Sequence, residues 1–67
     1  MKPGKYRHYK GREYELLCTA VHSETLEPMA VYRALYGDMK VWVRPLSMWD
    51  VDVCTESGTV KRFTYID

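Results

Sequence analysis

Alternating apolar and polar positions, turn residues at short intervals and the lack of any convincing helix place this chain in the all-β class. The alternation is clearest from Glu13 to His22 and from Met29 to Tyr36, where β-branched and aromatic residues are frequent. Gly11, Pro28, Gly37-Asp38, Pro45 and Ser57-Gly58 divide the chain into pieces of strand length. Five or six short strands at this spacing predict a small antiparallel SH3-like barrel, which leaves no exposed edge. The competing arrangement is an open, strongly bent sheet that completes itself by dimerising, because an unpaired edge invites pairing.

The elements follow in order. Gly4 opens a first strand, in which Tyr6, His8 and Lys10 alternate with Arg7 and Tyr9, and Gly11 closes it. In the second strand, Glu13 to His22, the period of two sends Tyr14, Leu16, Cys18, Ala20 and His22 inward. The stretch His22 to Pro28, HSETLEP, is rich in turn formers and ends in a proline that cannot donate to a ladder. Residues 29–36 make a third strand, with Ala30, Tyr32, Ala34 and Tyr36 on one face and Val31, Arg33 and Leu35 on the other. Lys40 to Arg44 makes a fourth, stopped by Pro45. PLSMWD then reads as one irregular or 3₁₀ turn that delivers Met48 and Trp49 to the core, and Val51 to Thr55 with Val60 to Tyr65 as a closing hairpin across Ser57-Gly58.

The 67 residues, 1–67, are the size of one small domain, and a chain this short buries only about 60% of the surface that its unfolded form exposes. The six Tyr and two Trp must therefore carry much of the core. The start has no apolar stretch of the kind a secretory signal needs, and no segment approaches the ~20 apolar residues of a membrane span, so a cytoplasmic protein with no membrane partner is expected. In that reducing compartment Cys18 and Cys54 read as small core residues rather than a disulfide. With two Cys and two His far apart in sequence, no metal site and no cofactor is implied.

Net charge is only +1, which argues against general electrostatic capture of nucleic acid. The average conceals an asymmetry, because residues 1–12 hold Lys2, Lys5, Arg7, Lys10 and Arg12 and no acid. Such a basic stretch, interleaved with Tyr6, His8 and Tyr9, suits phosphates and stacked bases, while the plainer reading is a strand with a charged, solvated outer face.

Three motifs also carry a resemblance. YRHYKG, the longer YELLCTAVHSETLEPMAVYRALYG and WVRPLSMW with a closing RFTYI resemble a family of small bacterial proteins catalogued as the domain of unknown function numbered sixteen fifty-three. The resemblance covers nearly the whole chain and implies an SH3-like fold and no established activity. Trp49 stands where that family usually has Phe, and Val51 where it has Glu.

Candidate chemistry gathers at two places. His22 and Glu24 are two apart, so a continuing strand would set a carboxylate beside an imidazole, the start of an acid–base pair. The plain alternative is that the loop residues cap their own amides. Arg44, at a strand end near two indoles, either pairs with an internal acid, Glu24 or Glu27, or takes a partner's acid or phosphate in a bidentate grip. Tyr32, Tyr36 and Trp42 point to one side and form either half the core or an aromatic groove. Two functions follow. The first is a non-enzymatic module that binds a protein segment or RNA through Tyr6, His8, Tyr9, Lys10, Tyr32, Trp42 and Arg44. The second is a small-molecule site or weak enzyme centred on His22, Glu24 and Arg44.

Overall fold

A computed structural model describes residues 2–67. In chain order it contains β1 (Gly4–His8), β2 (Glu13–Val21), β3 (Pro28–Ala34), β4 (Val41–Pro45), a single helical turn α1 (Leu46–Trp49), β5 (Asp52–Thr55), β6 (Gly58–Lys61) and β7 (Phe63–Tyr65). Five strands form one antiparallel sheet in the order β4-β3-β2-β1-β7, and β5 pairs with β6 in a separate hairpin. The class is all-β, as the alternation predicts. The barrel, however, does not close. Closure would require β4 to meet β7, and between those strands the chain instead lays α1 across the inner face of the sheet and turns outward into the hairpin.

What fills the place of closure is an aromatic core. Tyr6, Leu16, Ala30, Tyr32, Trp49 and Phe63 are buried together, with Tyr14 and Leu46 packed against them. Helix α1 reaches this core because Leu46 and Trp49, three apart, share one face of the turn. Met48 falls on the opposite face and is half exposed, so only one of the two residues assigned inward from PLSMWD arrives there. The turn is α rather than 3₁₀, closed by the Asp50 amide donating to the Leu46 carbonyl at 3.0 Å.

The alternation of β2 holds only as far as Leu16. Leu16 pairs with Tyr32 but Cys18 pairs with Val31, so Leu17 is an extra residue and the strand is bulged. A bulge reverses which side chains face inward. Cys18 and Ala20, assigned inward from the sequence, are therefore exposed, and Cys54 is exposed too; both thiols are free. A second difference lies at the end of the chain. The hairpin turns at Glu56-Ser57 and stops at Lys61, and after a bend at Arg62 the strand β7 joins β1, pairing Phe63 with His8 and Tyr65 with Tyr6.

The stretch HSETLEP is a bend between β2 and β3. The His22 amide donates to the Glu27 carbonyl at 2.9 Å and the Leu26 amide to the His22 carbonyl at 2.8 Å. The His22 side chain holds the inside of the turn, Nδ1 accepting the amides of Glu24 at 3.1 Å and Thr25 at 3.3 Å. Thr25 Oγ1 accepts the Glu27 amide at 3.3 Å. Capping falls chiefly to the imidazole, not to Glu24. Replacing His22 with Ala removes the acceptor of two exposed amides, and urea unfolding is expected to show a loss of about 1 kcal/mol.

Candidate binding face

The register places the side chains of the sheet on two faces. His8, Tyr14, Tyr32, Trp42, Arg44 and Phe63 belong to the inner face with the core, and Arg7, Glu13, Glu15, Arg33 and Val43 to the outer one. On the outer face both acids, Glu13 and Glu15, have a basic partner, and Lys5 has no salt bridge among the described residues. Arg7 contacts Glu13 at 3.0 Å across β1 and β2, and Arg33 lies 3.8 Å from Glu15 across β3 and β2. The basic start of the chain is thus an inner strand of the sheet whose outward side chains partly meet acids, the plainer of the two readings.

On the inner face, α1 covers Tyr6, Tyr32 and Phe63 and leaves a rim beside them. Tyr6 at 7% and Tyr32 at 6% exposure are core residues, whereas Trp42 at 52% stands open on the edge strand. Tyr9 and Lys10 are exposed in the turn after β1. The residues assigned to one groove from the sequence therefore divide: Tyr6 and Tyr32 are buried, His8 and Arg44 half-buried, and Tyr9, Lys10 and Trp42 exposed.

The rim carries arginines without acids. Of the two roles open to Arg44, the internal pair with Glu24 or Glu27 is not formed; its only side-chain hydrogen bond among the described residues runs from Nε to the Tyr32 hydroxyl at 3.3 Å. Its guanidinium carbon lies 5.6 Å from the ring centre of Phe63 and 5.9 Å from that of Tyr32. Arg12 sits over Tyr36 at 4.3 Å. Arg62 has a buried Nε with no acceptor among the described residues.

His8 lies against Phe63, with ring centres 5.0 Å apart, and its Nδ1 accepts the Lys10 amide at 3.2 Å. Burial, and then the positive charges of Arg44, Arg62 and Lys10, hold its pKa below the ordinary value, so it is neutral at pH 7 with its proton on Nε2. The Tyr14 and Tyr36 hydroxyls are 2.7 Å apart. Burial first, and then that hydrogen bond, push the Tyr14 phenol up to about 12.

His22 and Glu24 offer no acid–base pair. The imidazole is occupied by the turn's own amides, and the Glu24 carboxylate has no hydrogen bond or salt bridge among the described residues. Arg44 belongs to the inner face with Tyr32, so these three residues share no bonded network. Among the described residues no group of three His, Cys, Asp or Glu side chains gathers to hold a metal. Arg12, Tyr14, Arg62 and the buried Phe63 escape sequence reasoning as site residues, Phe63 because only the pairing of β7 with β1 brings it beside His8.

A family model described as a protein of unknown function, DUF1653, matches residues 4–65. The chain belongs to the DUF1653 family. Among solved structures it is similar to a crystal structure of a DUF1653 protein from Bordetella bronchiseptica, at 40% identity and a TM-score of 0.92, over 98% of this chain and 87% of that one. No curated protein matches. The family resemblance therefore holds, and the Bordetella protein shares the open-sheet fold described above. No helix among the described residues is long and apolar enough to cross a membrane.

Proposed function

We propose that this DUF1653 domain is a non-enzymatic binding module that takes single-stranded RNA along the aromatic rim of its inner face. One observation carries the reading: Arg12 and Arg44 at that rim, and Arg62 next to Phe63 in the chain, have no salt bridge among the described residues, whereas Arg7 and Arg33 on the outer face have one each. An arginine over the exposed Tyr36 ring, on a face that also exposes Trp42, suits a polymer that supplies its own phosphates and stacking bases. The reading needs no cofactor and places the protein in the cytoplasm. Fluorescence anisotropy with an unstructured oligoribonucleotide of about ten nucleotides tests it. Trp42→Ala is expected to weaken binding by roughly 1–3 kcal/mol while leaving the melting temperature unchanged, because the indole is half exposed. Affinity should also fall as salt rises. Full affinity in Trp42→Ala, or no binding at low salt, removes the reading.

A second reading rests on the free edge of β4. Val41, Trp42 and Val43 are all exposed there, and the outer edge of the strand has no partner. An extended protein segment, or β4 of a second copy in a homodimer, would add a sixth strand. Protection of alternate β4 amides from hydrogen exchange on adding a partner, or at high protein concentration, identifies this mode.

A further inference from the structure

An arginine that is partly buried ordinarily finds an acceptor, since buried N–H groups are almost always paired. Arg62 departs from this: its Nε is shut from water and meets no acceptor among the described residues. Arg44 spends Nε on the Tyr32 hydroxyl and leaves its two terminal nitrogens without a protein acceptor among those residues. His8 completes the set. Because Nδ1 accepts the Lys10 amide, Nε2 is left as a donor, and the ring rests on Phe63, which follows Arg62 in the chain and lies beneath Arg44. The groups of charge that act on this imidazole are Arg44, Arg62 and Lys10, all positive. The nearby carboxylate of Glu13 is held by Arg7 on the opposite face.

We infer that His8, Arg44 and Arg62 form a receptor for one phosphate group, with the two guanidinium groups and His8 Nε2 as its donors. Guanidinium pairs with phosphate through parallel hydrogen bonds. The site exists to be filled by an anion, since filling it satisfies a buried donor and neutralises a cluster that is otherwise all positive. This deepens the RNA reading, on which it rests only for the source of the phosphate; free inorganic phosphate has the same chemistry.

Nuclear magnetic resonance of the isotope-labelled full chain, titrated with inorganic phosphate at constant ionic strength, tests the receptor. The Nε–H resonances of Arg44 and Arg62 and the ring resonances of His8 are expected to move together and saturate. The midpoint of His8 titration should rise by about one pH unit when phosphate is present, because an anion favours the charged imidazole. Arg44→Gln and Arg62→Gln should each weaken phosphate about tenfold, and Arg44→Lys, which keeps the charge but loses the fork, should fall between. Amide spectra show whether each variant folds; should one fail to, the wild-type titration decides alone. Phosphate that leaves His8 and both arginines unmoved overturns the receptor, even if the oligoribonucleotide binds and the RNA face stands. Phosphate that binds while the oligoribonucleotide does not keeps the receptor, loses the RNA face and makes the source a free anion.

Discussion

Trp49→Ala is expected to unfold the domain. The indole is 2% exposed, lies stacked on Phe63 with ring centres 3.8 Å apart and planes 6° apart, and meets Tyr32 at 4.9 Å and Tyr6 at 5.4 Å. Removing a buried Trp side chain costs about 3–5 kcal/mol, and a single core of this size supplies only roughly 3–5 kcal/mol in all. No neighbour can collapse into the gap, because α1 is one turn long and attached at both ends to strands. The measurement is amide dispersion in a two-dimensional spectrum, which should narrow to that of an unfolded chain. Trp49→Phe keeps a ring over Phe63 and should stay folded, at a cost of about 1–2 kcal/mol. A folded Trp49→Ala with less than about 1 kcal/mol lost would mean that α1 is not what closes the inner face.

The strands were legible because their signals are local. Period-two alternation set Ala30, Tyr32, Ala34 and Tyr36 on one face; the first three are buried, whereas Tyr36 lies beyond the end of β3 and is exposed. Composition favours core over groove for Tyr32, Tyr36 and Trp42 together, since a chain poor in Leu and Ile must bury its aromatics, but only Tyr32 is buried, and Tyr36 and Trp42 are exposed. What the sequence hides is everything that depends on register. The bulge at Leu17 changes which half of β2 looks inward, and no residue type marks it. The break at Arg62 sends β7 to a different sheet from β6, although the pattern on either side reads as one strand. Both decisions are made by packing: β7 carries Phe63 under Trp49, and a continuous hairpin could not.

The same dependence explains the site. His8 and Arg44 could be nominated from residue type, but their relation runs through Phe63, and Phe63 meets His8 only across the β1–β7 ladder. His22 and Glu24 looked like a pair because two residues separate neighbours on one face of a strand. The strand ends at Val21, and in a turn that spacing instead puts the Glu24 amide on the imidazole.

Gly4→Ala is expected to destabilise the fold by about 2–4 kcal/mol, through two costs that can be separated. Gly4 has φ +140°, and a Cβ there would stand 2.6 Å from the Asp67 carbonyl oxygen and 2.8 Å from the Tyr65 ring. That oxygen cannot retreat without losing the bond it accepts from the Lys5 amide at 2.8 Å, and the Ile66 amide donates to the Lys5 carbonyl at 2.8 Å beside it. Gly11 isolates the conformational part. Its φ is +105° but nothing lies within 4 Å of the place a Cβ would take, so Gly11→Ala carries backbone strain alone and should cost roughly 1–2 kcal/mol. Urea unfolding of the two variants gives the steric part by difference. Equal losses would show that residues 65–67 do not pack on Gly4 in solution. A larger loss at Gly4 would show that this packing holds β7 to β1, the ladder that sets Phe63 beside His8 and beneath Arg44. Gly4→Ala should then also disturb the His8 titration, although Gly4 does not touch the imidazole.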